Sequence, residues 1–133
     1  MIGMYSSHSQ LFLLILASLT TLFFALPLLL VPLTWARLMR WNIPVETDLA
    51  VYFGRCLGAF VVGVDIMGFL GAFYPQRQQA IFEVLYFVSA SMVAVHAYGA
   101  WRRIQPITET IEIAFYVLLF LLALLFQPSL GAA

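Results

Sequence analysis

Long apolar runs separated by short polar breaks organise this chain. Four runs reach the length of about 20 residues that a helix needs to cross a hydrocarbon core: Leu11–Leu33, Leu49–Phe73, Ala80–Ala100 and Ile107–Phe126. The first carries no charge, the second only Arg55 and Asp65, the third Glu83 and His96, and the fourth Glu109 and Glu112 near its start. Transmembrane strands would instead show alternating segments of about ten residues, and no such alternation runs through these stretches. The breaks agree with helices. Pro27 and Pro32 fall in or at the end of the first run, where a membrane helix tolerates a kink. Pro44 and Glu46-Thr47-Asp48 precede the second run, as suits a helix start. Tyr74 to Gln79 reads as a polar turn, and Gln105-Pro106 places proline at the first turn of the fourth run. The pattern predicts an all-α, integral membrane four-helix bundle, one transmembrane domain over residues 1–133.

Composition excludes a water-soluble alternative. Of the 133 residues, 64% are hydrophobic and 9% charged, against about 25% charged in soluble domains. A soluble fold of this size would leave apolar patches larger than monomers tolerate. The N-terminal decapeptide has no Lys or Arg, so the first run is read as a mature helix and not a secretory leader. Net charge is zero and lysine is absent, so no basic stripe offers itself to nucleic acid. The single cysteine, Cys56, excludes an internal disulfide.

Arginine sets the expected orientation. Arg37 and Arg40 lie between the first two runs and Arg102 and Arg103 between the last two, whereas the opposite side holds only Arg77. The positive-inside rule makes the arginine-rich side cytoplasmic and turns both termini outward. The expected location is a bacterial inner membrane, crossed several times. Trp35, Trp41 and Trp101 flank the same boundary, where indole rings and guanidiniums anchor at headgroup level.

Ionisable groups inside the membrane carry the candidate chemistry. At about 1.5 Å rise per residue, Arg55 and His96 both lie roughly 9 Å to the cytoplasmic side of the midplane, Glu112 about 7 Å, and Glu109 deeper still. An Arg55–Glu112 ion pair with His96 beside it is expected, extended by Tyr116 one turn along the same face. It either fixes helix register or forms a polar site for a ligand, headgroup or proton. Asp65, about 6 Å to the outer side, and Glu83, about 10 Å, form a second set that shares a proton or binds a cation; an Arg77–Glu83 surface pair is the simpler fate of Glu83. Gly54 and Gly58 make a G-x-x-x-G that Gly63 extends, predicted to pack the second span against the third, with a homo-oligomer or another membrane protein as the alternative partner.

Other chemistries find no pattern. One intramembrane histidine is too few for a bis-histidine haem, since His8 lies in the tail. No C-x-x-C or H-x-x-x-H spacing supports a metal, and none is predicted. Ser89 and His96 are about 10 Å apart along the axis, too far for a nucleophile and its base. No cofactor is expected beyond a bound lipid or quinone.

At Tyr52-Phe53-Gly54-Arg55-Cys56-Leu57-Gly58-Ala59 the chain resembles the DoxX-like small four-helix membrane proteins, which carry Arg-x-x-Gly near the start of a glycine-rich helix. The order Arg55, Gly58, a short turn, then His96 also resembles the ergosterol-biosynthesis scaffold family. The likeness spans roughly Tyr52 to Arg103. The first resemblance implies association with membrane redox or quinone systems, and the second a non-catalytic protein that tethers membrane enzymes. Three functions therefore stand open: a non-catalytic subunit or scaffold, a dimeric ion-coupled transporter using Asp65 and Glu83, or a lipid- or quinone-binding protein or enzyme around Arg55, His96 and Glu112. A non-catalytic role is the leading expectation, because no catalytic constellation is present.

Overall fold

The computed structural model describes residues 2–128, and every regular element among them is helical. The elements are α1 (Ser9–Thr20), a π-helical segment (Thr21–Ala25), α2 (Leu26–Leu30), α3 (Pro32–Leu38), α4 (Asp48–Phe73), α5 (Gln78–Arg102) and α6 (Ile107–Phe126). Four continuous stretches are long and apolar enough to cross a membrane: Ser6–Leu30, Asp48–Phe73, Pro75–Arg102 and Ile107–Phe126. The predicted second and fourth spans match these within a residue.

The first span departs from its predicted end at Leu33. It stops at Leu30 because Val31, held before Pro32, takes φ −134° and ψ 56°, and a residue before proline is pushed out of the α region. Pro32 then opens α3 at its first position, so Trp35 and Arg37 sit on a separate short helix. Pro27 has no N–H for the Phe23 carbonyl and crowds it. The π-helical turn just before it loosens the ladder where that crowding falls. The predicted turn from Tyr74 to Gln79 is also shorter than expected. Pro75–Arg77 form a 3₁₀ turn and α5 starts at Gln78, whose buried amide donates to the Gly71 carbonyl at 3.1 Å and so caps the end of α4.

The spans alternate in direction. Gly3 and Tyr5 donate backbone N–H groups to Leu124 and Leu125 at 2.9 Å, which ties the N-terminal segment to the end of α6. At the other end, the Thr108 hydroxyl donates to the Met39 carbonyl and the Trp41 indole to Glu109 at 2.7 Å. Both arginine-bearing loops therefore meet at one end. Arg40 (φ 63°) and Arg103 (φ 55°) adopt the left-handed conformation there, and at Arg103 it closes α5.

The helices associate as two pairs. The first span lies along α4, and α5 lies along α6. Glycines make the first pair close: a Cβ on Gly58 would lie 2.4 Å from the Leu29 nitrogen, and one on Gly54 would lie 2.6 Å from Pro32 Cβ. The Gly54–Gly58 face of α4 thus meets α3 and the first span, not the third as predicted, while Gly63 faces open space with nothing within 4 Å. The pairs join near the termini through Leu13, Ala72, Ile81, Phe82, Leu85 and Ala123, with Phe12 stacked between Phe82 and Phe126 at 5.8 and 4.8 Å. Elsewhere the apolar residues point outward. In the most apolar part of each span at most 28% is buried within the chain, an arrangement for which water is a poor solvent.

Candidate functional site

Away from that core the two pairs separate and leave a partly open cavity of about 520 Å³ between them. Its walls come from all four spans, among them Leu16, Phe23, Phe60, Val64, Val88 and Phe115. Polar side chains enter it at few places: Thr20 and Asp65 on one wall, Glu112 and Tyr116 on another.

Asp65 is 6% exposed. Its carboxylate accepts the Thr20 hydroxyl at 2.5 Å and the Thr21 hydroxyl at 2.9 Å. Two consecutive threonines usually point to different helix faces; here Thr21 opens the π-helical turn, and both hydroxyls reach one acid. Glu83 is elsewhere. It is exposed and accepts the Gln79 amide at 3.1 Å one turn earlier on its own helix. The structure therefore does not bring Asp65 and Glu83 together as a proton or cation site. Nor does Arg77 pair with Glu83, since its guanidinium stands 5.6 Å from the Tyr74 ring centroid. In a double-mutant cycle, Thr21→Val and Asp65→Leu should couple by about 0.6–1.7 kcal/mol, as hydrogen bonds between membrane helices do; additive effects would contradict the bond.

The second polar cluster lies toward the loop end. His96 is 5% exposed. Its Nδ1 lies 2.7 Å from the Met92 carbonyl oxygen, which only accepts, so Nδ1 carries a proton. Nε2 then faces Glu109 Oε2 at 3.2 Å and Glu112 Oε2 at 3.5 Å. The Tyr116 ring packs 5.3 Å from the imidazole, centroid to centroid. The second Glu109 oxygen accepts the Trp41 indole N–H. Gln105 donates to the His96 carbonyl at 3.0 Å and to Thr110 Oγ1 at 3.1 Å, fastening the α5–α6 loop beneath the imidazole. Gly99 leaves room for that amide, because a Cβ there would collide with it.

His96, Glu112, Glu109 and Tyr116 are thus gathered as expected, but Arg55 is not among them. Arg55 is exposed on the outer face of α4, in a groove shared with Leu29, Asp48 and Tyr52, and among the described residues it forms no ion pair. The predicted Arg55–Glu112 pair is absent because the two side chains share a depth but not a direction.

The boundary residues divide in the same way. Trp101, Arg37, Arg40, Arg102 and Arg103 are exposed at the loop end. Trp35 instead packs edge-on against Phe24 at 5.1 Å, and Trp41 is committed to Glu109. Ser89 donates to the Leu85 carbonyl at 2.6 Å, so its hydroxyl serves the helix and not His96. The groups that the sequence did not single out are Thr20, Thr21 and Gln105. The only signal for them was polarity within or beside an apolar run.

No protein-family model, characterised protein or solved structure matches the chain.

Proposed function

We propose that this chain is a multi-pass membrane protein that holds an amphiphile, a lipid or an isoprenoid quinone, with its apolar tail between the two helix pairs. In this reading it binds without catalysing a reaction. The observation that carries it is the cavity itself. At about 520 Å³ it falls within the roughly 300–1,000 Å³ of small-molecule sites. Its walls are apolar with a few convergent polar groups, which suits a hydrocarbon tail and an oxygenated head. Inside a bilayer the available filler for such a space is an apolar chain, because water has too few partners there. Glu112 and Tyr116 provide acceptor and donor groups for the head. The scaffold alternative draws no support from Gly54 and Gly58, which α3 and the first span already cover.

The orientation proposed is that of the arginines: loops at the cytoplasmic face, termini outside, in a bacterial inner membrane. Arg55 and the loop arginines then meet lipid phosphates.

Filling the cavity tests the binding. Val64→Trp adds a ring on a cavity wall, while Val95→Trp adds one on a face already 61% exposed. Mass spectrometry of the gently solubilised protein should find about one amphiphile per chain in the parent and in Val95→Trp, and at least about tenfold less in Val64→Trp. Equal occupancy in all three would overturn the reading.

A further inference from the structure

We infer that His96, Glu109 and Glu112 form a binding site for a borderline divalent transition metal of the Zn²⁺, Fe²⁺ or Co²⁺ class. The inference does not depend on what fills the cavity. One ligand atom from each residue lies within 4.8 Å of the other two. Two of the separations fit an ion held between the groups. Ligand atoms bound at about 2.0–2.1 Å in a tetrahedral site lie about 3.3 Å apart, and Nε2 stands 3.2 and 3.5 Å from its two carboxylate oxygens.

The tautomer is suitable as well. With the proton on Nδ1 and directed at the Met92 carbonyl, the Nε2 lone pair points to the two acids. The other Glu109 oxygen is held by the Trp41 indole. Both contacts are the outer supports that orient metal ligands and raise their basicity. Two carboxylates and a neutral imidazole carry two negative charges, so a dication leaves the cluster neutral in a low-dielectric setting. One nitrogen and two oxygen ligands select borderline metals over Mg²⁺ or Ca²⁺. Spacing motifs did not reveal the set because Glu109 and Glu112 are one turn apart on α6 while His96 comes from α5.

The test uses the full chain in detergent, carrying a tag without histidine, stripped by chelator and titrated with Co²⁺. One ion per chain should bind, with the visible d–d absorption of a low-coordinate site. Glu112→Gln and Glu109→Gln should each weaken binding at least about tenfold, and Trp41→Phe, which removes only an outer support, by about 10-fold. His8→Ala, at an exposed histidine, should leave it unchanged. Failure of the parent chain to take up one Co²⁺ overturns the site whether or not the variants fold. So does stoichiometric binding that Trp41→Phe and both glutamine variants leave intact.

Discussion

Gly58→Leu should destabilise the folded chain by more than about 3 kcal/mol, above the usual cost of overpacking because the obstacle is main chain. Even the first added carbon would sit 2.4 Å from the Leu29 nitrogen, 2.8 Å from its Cα and 3.0 Å from the Ala25 carbonyl oxygen. A helix backbone cannot rotate away as a side chain can, so the first span must lift off α4. That movement would also pull Thr20 and Thr21 from Asp65. Gly63→Leu is the internal control. It lies on the same helix with nothing within 4 Å of its Cβ position, and exchanging an exposed helical glycine should change stability by no more than about 1 kcal/mol. Reversible unfolding in mixed micelles measures both. Equal effects at the two positions would show that α4 does not lie against the first span.

His96→Leu should cost about 1–3 kcal/mol in chelator-treated protein at neutral pH, because it removes the group that Glu109, Glu112 and the Tyr116 ring pack against. The same measurement on His96→Leu/Glu112→Gln should recover part of that loss, since one carboxylate fewer is then left without the imidazole. Non-additivity of this sign is expected only of groups that share one site. A double variant as unstable as the sum of its singles would mean that His96 and Glu112 act independently. The parallel with Asp65 is limited. Asp65 has two hydroxyl donors and no opposing charge, so its removal should be milder.

How far these features could be read in the sequence follows from geometry. The axial coordinate was legible. A fixed rise per residue located the spans and put His96 and Glu112 at one level, where the structure finds them together. The azimuth was not, because it depends on which helices become neighbours. Arg55 has the right depth and faces outward. Asp65 and Glu83 have similar depths and point apart. Gly54 and Gly58 announced a close approach, but the third span was the expected partner, whereas α3 and the first span fill the role. Local rules explain the remaining shifts: Pro32 ended the first span early through Val31, and Gln78 entered α5 because its amide had the Gly71 carbonyl to cap. Trp41 read as an interfacial anchor, since nothing in the loop announces its bond to a residue on α6.

Placement of this bundle in a bilayer underlies every functional statement. Single cysteines introduced into a chain carrying Cys56→Ser, at Ser7, Asn42, Arg103 and Val95, report it through labelling of intact cells and then of opened membranes. The account predicts that Ser7→Cys reacts with an impermeant maleimide from outside, that Asn42→Cys and Arg103→Cys react only after the membrane is opened, and that Val95→Cys stays protected throughout. Labelling of Asn42→Cys and Arg103→Cys from opposite faces, or free reaction at Val95→Cys in water, would contradict it.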